Sequence, residues 1–271
     1  GDISDAEYKK KAYYVKVKAS KRINKNAGVS KPSPGGSSTD LGGVSTDVPG
    51  MKSGGPGVKI APSGLDITPA TPRPLPPQLA SRTSSTRKMA EKNAEGLQGK
   101  ARNDLTAAKH KPGAWDDPVI GPQIKAHSAY TGSSYTPMNT LAREGKLHGS
   151  GQSQAAKHIK NLDTAFQTFG YTTNQPIVVH RGVRGQYSKD IRNLTPGDII
   201  TERGFMSTSV REKKPKDFAG SAGALMEIHV PPGKRTMAGT DYEHELLFPR
   251  NTKLQYLGRS STGAVQFTMI E

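Results

Sequence analysis

The sequence predicts an α+β domain of about 150 residues, preceded by a long basic segment without regular structure. Three observations predict it. All six phenylalanines (166, 169, 205, 218, 248 and 267) lie after residue 116. Helical periodicity comes first in that region and short β-type runs follow, the order of an α+β fold rather than an alternating one. Residues 28–82 hold ten Gly and ten Pro in 55 positions, as in "KPSPGGSSTD" and "TPATPRPLPPQL", with no sustained period. A segment so poor in large apolar side chains cannot offset its conformational entropy by burial. The predicted organisation is therefore a disordered Pro/Gly-rich leader or linker over 1–115 and a folded domain over 116–271.

Two helices are expected at the start of that domain. "SSYTPMNTLAREG" places Pro137 in a first turn and Gly145 at a stop. In "SQAAKHIKNLDTAFQTFG", Ser153 is the predicted N-cap. Ala156, Ile159, Leu162, Ala165, Phe166 and Phe169 form one apolar stripe, and Gly170 ends it. The runs "PIVVHRGV", "DIITERGFMSTSV", "GALMEIHV", "EHELLFP", "TKLQYLGR" and "AVQFTMIE" then read as strands, punctuated by "TPGD", "PPGK" and "PRNT". Mostly antiparallel sheets are expected.

The chain carries a net charge of +16, of which +11 falls in residues 1–115. An acidic partner is expected from that charge: nucleic acid, an anionic membrane or an acidic protein. There is no cysteine, hence no disulfide framework and no Cys-based metal site. No apolar run approaches the ~20 residues of a membrane-spanning helix, so no membrane insertion is expected. The opening "GDISDAEYKK" does not read as a secretory signal; a fragment released from a longer precursor, or a trimmed version of one, is the expected origin of Gly1.

Three motifs carry chemistry. Arg181 in "IVVHRGV" is costly in an apolar strand unless it meets an anion, or lies at an exposed edge; neighbouring His180 is given no role. Ser207, Thr208 and Ser209 in "GFMSTSV" can bond their own backbone or a sheet edge, or serve a site. Glu243 and Glu245 in "GTDYEHELLFPRN" sit one residue apart, on one side if the segment is a strand. Either Glu alone reads as half of an ion pair. Together, one carboxylate can hold a developing cation while the other accepts a proton.

The order Arg, Ser-Thr-Ser, Glu-X-Glu resembles the R-S-E class of mono-ADP-ribosyltransferases, the group with the clostridial binary actin toxins and arginine-specific transferases. The resemblance covers about 125–271 and includes Tyr130, Tyr135 and Asn139 in "AYTGSSYTPMNTLAR" and Phe218 in "KKPKDFAGSA". Gly182 departs from it, standing where the binary toxins often have a second Arg. The resemblance implies the ADP-ribosyltransferase fold, N-terminal helices packed on two mostly antiparallel β-sheets. It implies NAD as substrate and no metal. Glu245 would stabilise the cationic ribose and Ser207 would orient Glu245, with Thr208 and Ser209 shaping the strand edge. Arg181 would hold the diphosphate, Tyr130, Tyr135 and Asn139 would bind phosphate and ribose, and Phe218 would lie near nicotinamide. Glu243 would face the acceptor, favouring arginine or threonine over an amide.

Composition and order are also similar to the C-terminal effector of a TccC-type Tc toxin component. That resemblance implies a toxin shell and translocation channel before release, secretion by the producing bacterium and delivery to host cytoplasm, with actin as the protein acceptor. Rho-type GTPases, simple NAD hydrolysis and a basic nucleic-acid-binding protein are the competing readings.

Overall fold

The computed structural model of the chain describes residues 59–61, 63–70, 84–147 and 150–270. Strands β1 (Lys59–Ile60) and β2 (Asp66–Thr68) come first, then helices α1 (Ser84–His110) and α2 (Gly121–Ala129). A π-helical turn, Tyr130–Ser134, leads into α3 (Tyr135–Glu144) and α4 (Gln152–Phe169). Strands dominate the remainder: β3 (Tyr171–Thr172), β4 (Ile177–Val183), β5 (Ile199–Glu202), β6 (Met206–Ser209), β7 (Ala224–Val230), β8 (Arg235–Ala238), β9 (Glu245–Phe248), β10 (Thr252–Arg259) and β11 (Val265–Met269). Two short helices interrupt them, α5 (Gly185–Arg192) and α6 (Lys213–Ala219). The fold is mixed α+β, as the sequence predicts.

The described strands hydrogen-bond in the order β1-β2-β5-β10-β11-β7-β4-β6-β9-β8-β3. All pairs are antiparallel except β7 with β11. The β4–β6 ladder consists of one pair, His180 with Ser209. That narrow waist divides the strands into two halves, but the two main cores do not follow it: Met206, Leu246 and Phe248 of β6 and β9 pack with Val179 and Ile228 across it. Val179, Ile200, Ile228, Phe248 and Phe267 fill one; Ile159, Leu162, Phe166, Phe205 and Leu247 join α4 to β6 and β9 in the other. Burying each such side chain contributes roughly 1.5–3 kcal/mol.

Helix α4 buries Ala155, Ile159, Leu162, Ala165 and Phe166, as its period dictates. It stops at Gly170 because a Cβ there would lie 2.2 Å from the Phe166 carbonyl oxygen. Its start differs from expectation: Gly151, at φ 105°, is the N-cap, and Ser153 lies exposed inside the first turn. Helix α3 ends as predicted, on Gly145 in the left-handed conformation.

The largest correction concerns residues 1–115. Within the expected disordered segment, β2 adds to the edge of β5, and α1 is a 27-residue helix. Its buried stripe is Ala90, Ala94, Gln98, Ala101 and Leu105. These small side chains bring the helix close to strands whose own residues supply the bulk, so few large apolar groups are needed. Residues 1–58, 62 and 71–83 of that segment lie outside the described residues. A second correction is that "DIITERGFMSTSV" forms two strands. Between them the Gly204 amide donates to the Glu202 carboxylate and the Phe205 amide to Asn139 Oδ1, so side chains replace ladder partners.

Candidate active site

Three adjacent strands carry the predicted triad. On β6, Ser209 faces His180 of β4 on one side and Glu245 of β9 on the other. Arg181 Nη1 donates to the Ser207 carbonyl at 3.0 Å, and the Ser207 side chain lies near enough to the Glu245 carboxylate to pull its pKa down. Arg181, Ser207 and Glu245 are thus brought together.

Glu245 is 5% exposed. Burial pushes its carboxyl above the usual carboxylate range and the Glu243 charge adds to that, while the Thr240 amide, donating to Oε2 at 2.7 Å, and Ser207 pull it back. The fit is close: a Cβ on Gly239 would lie 2.2 Å from Glu245 Oε2. Only glycine lets the chain pass there.

Glu243 is placed differently from expectation. It lies in the turn 241–244, not on a strand face shared with Glu245. His244, at φ 48°, adopts the left-handed conformation, which few non-glycine residues do, and this turns the chain between the two carboxylates. Glu243 is exposed, and its carbonyl accepts a hydrogen bond from Ser209 Oγ at 2.6 Å. Thr208 donates to the Leu246 carbonyl. Both hydroxyls therefore pin the edge of β6 to the segment carrying the two glutamates.

Tyr130 and Asn139 meet on the segment entering β6. Tyr130 donates to the Phe205 carbonyl at 3.0 Å and its oxygen lies 3.4 Å from Ser207 Oγ. Asn139 Nδ2 donates to the Tyr130 oxygen and the Phe205 carbonyl. Both side chains are buried and bonded to protein. Tyr135 and Phe218 are exposed at 51% and 54%, and Arg184 lies over the Phe218 ring at 4.5 Å. Gly182 cannot carry the binary toxins' Arg in this backbone, because its Cβ would lie 2.0 Å from the Pro215 carbonyl oxygen of α6.

Sequence reasoning missed two residues behind Arg181. Glu202 is fully buried and takes Arg143 Nε at 2.9 Å and Nη2 at 3.0 Å, with Arg181 Nη2 at 3.5 Å. Burial alone would raise the Glu202 carboxyl, but the two guanidiniums outweigh it and hold it below the ordinary range. The signal was available: Glu202 shares the inward face of β5 with Ile200, and a charge on a core face needs a partner. Among the described residues no group of three His, Asp or Glu could hold a metal ion.

The sequence profile of the ADP-ribosyltransferase exoenzyme family matches residues 114–267. The chain belongs to that family. ADP-ribosyltransferases use NAD as substrate, so the Arg181–Ser207–Glu245 cluster lies in a domain built for a dinucleotide. Mav of Mycobacterium avium (strain 104), whose name makes it a candidate NAD(+)–arginine ADP-ribosyltransferase, is 27% identical over 161 residues. The match covers 57% of this chain and 18% of Mav. The ADP-ribosyltransferase Vis in complex with the M6 inhibitor, a toxin of Vibrio splendidus, shares the fold at a TM-score of 0.50 and 18% identity, over 72% of this chain and 88% of Vis. C3larvin toxin, an ADP-ribosyltransferase of Paenibacillus larvae, is 24% identical over 58% of this chain and 99% of its own, with a TM-score of 0.43. Helix α1 lies outside the family match.

Proposed function

We propose that this chain is a mono-ADP-ribosyltransferase of the R-S-E class that moves ADP-ribose from NAD to a host protein. The observation that carries the proposal is the buried Glu245 carboxylate, held by the Thr240 amide, with Ser207 and Arg181 beside it. Cleavage of the bond between nicotinamide and ribose sends its electron pair to the departing base and leaves an oxocarbenium-like sugar. A fixed anion gains more against that cation than against the ground state, which is the condition for catalysis.

Glu245 supplies the anion and bonds the ribose. Ser207 orients it. Arg181, whose Nε is buried without a partner, supplies the N–H groups for diphosphate. Tyr135 and Phe218 present exposed rings to the dinucleotide, while Tyr130 and Asn139 act by fixing the Phe205–Ser207 segment. Glu243 attracts a guanidinium or takes the proton of a hydroxyl as that nucleophile attacks the sugar, and water replaces the acceptor when none is bound.

An arginine or threonine acceptor fits Glu243, and the name given to Mav agrees with arginine. Actin is the acceptor protein of the proposal: it is acidic, and a chain of net charge +16 complements it. Release as a TccC-type effector into host cytoplasm completes the reading. The test is incubation with biotin-NAD and host lysate, followed by mass spectrometry of the labelled protein. Actin labelled on Arg or Thr, with Glu245→Gln inactive, is the expected result. Labelling of a Rho-type GTPase would replace actin; nicotinamide release without labelling would leave a hydrolase.

A further inference from the structure

We propose that α1 braces the acceptor-side turn, with Arg102 as a positioning residue that tunes protein-acceptor use without acting on NAD cleavage. The proposal rests on the transferase reading above and deepens it.

Three lines of contact run from α1 to the turn 241–244. On one flank, Arg102 Nη1 donates to Asp241 Oδ1 at 2.6 Å. Asp241 begins the turn, and its carbonyl accepts the His244 amide that closes it. On the other flank, Glu95 pairs with Arg211 at 3.3 Å. The Arg211 amide donates to Ser209 Oγ, which donates to the Glu243 carbonyl. Ahead of the turn, at the end of β8, Ala101 and Leu105 pack with Ala238. The Ala238 carbonyl accepts His127 Nε2 at 2.7 Å, which leaves Nδ1 to accept Lys109 of α1 at 3.0 Å.

One helix therefore reaches the turn at Asp241 directly and at the Glu243 carbonyl through Arg211 and Ser209, and packs on Ala238 shortly before it. That over-determination suits a turn whose His244 sits in a sparsely populated conformation. The Arg102 and Asp241 side chains are 40% and 65% exposed. Such pairs contribute little to folding, so their expected effect is on where the turn rests rather than on whether the domain folds.

Arg102→Ala, Asp241→Arg and the charge-exchanged Arg102→Asp/Asp241→Arg protein are compared with the full chain. Agmatine serves as the guanidinium acceptor. Nicotinamide release in its absence reports cleavage, and amide hydrogen exchange reports the turn. The single variants are expected to raise KM for agmatine about two- to five-fold, with KM for NAD and hydrolysis unchanged. Exchange at His244 and Glu245 should quicken, and the exchanged pair should restore both. Unchanged exchange overturns the brace, whatever the activity. Faster exchange with an unchanged agmatine KM, or hydrolysis falling in step with transfer, overturns the role in acceptor use. Absence of both activities in the unaltered chain overturns the transferase reading itself, and acceptor tuning with it, while exchange still decides the brace.

Discussion

Arg143 grips both oxygens of Glu202, at 2.9 and 3.0 Å, whereas Arg181 reaches the same carboxylate only at 3.5 Å. One buried anion thus faces two cations, and Arg143 takes most of it. Arg181 is aimed by Glu202 and the Ser207 carbonyl without being neutralised, which on the proposed reading keeps its charge for a diphosphate.

Arg143→Met should let Arg181 close on Glu202. Removing one partner of a buried pair costs about 3 kcal/mol, measured by denaturant unfolding. Loss of a charge-assisted bond to substrate corresponds to about a tenfold rise in KM for NAD, with a smaller effect on kcat.

Glu245→Gln keeps an oxygen to accept the Thr240 amide, so folding should survive. The anion does not. Both nicotinamide release and protein labelling should fall by about 10²–10³ or more, read in parallel with a circular-dichroism melt.

Burial raises the Glu245 carboxyl and Ser207 lowers it again. Activity needs the ionised form, so the acid limb of the kcat/KM profile should lie above the ordinary carboxylate range. Ser207→Ala should move that limb further up. The linked stability has the opposite sense: with a raised folded-state pKa, the contribution of Glu245 is full at low pH and is lost as pH rises through the folded value.

His127 is pushed down from 6.5 to about 4 by burial, with Lys109 adding to it. A depressed histidine binds fewer protons folded than unfolded, so stability present above pH 6.5 should fall as pH drops toward 4. His127→Gln can still donate to the Ala238 carbonyl but cannot titrate. Its stability should depend less on pH over that window, by urea unfolding.

Gly239→Ala places a methyl against Glu245 Oε2. The prediction is a large loss of kcat, through displacement of the carboxylate, with NAD binding largely kept in equilibrium titration.

The sequence made α4 and most strands legible because a single face of each is buried, so period alone reveals them. The triad was legible for a different reason: Arg181, Ser207 and Glu245 bring polar chemistry onto strands otherwise apolar. Helix α1 was not, since Ala94, Ala101 and Leu105 achieve by close approach what large side chains achieve elsewhere. The geometry of Glu243 was also hidden, because the i, i+2 rule assumes an extended backbone and His244 departs from it. Tyr130 and Asn139 were read as binding phosphate and ribose, but a buried side chain's partners depend on which distant segment it meets, here Phe205.

The single pair between His180 and Ser209 does not by itself set how this molecule can breathe. Between β4 and β7, by contrast, seven residue pairs would have to part. Along this seam one backbone rung and the Arg181–Ser207 hydrogen bond resist, and those two residues stand on its opposite banks. Sliding one side against the other would also strain the core that Met206, Leu246 and Phe248 share with Val179 and Ile228, so packing rather than the ladder limits any opening there.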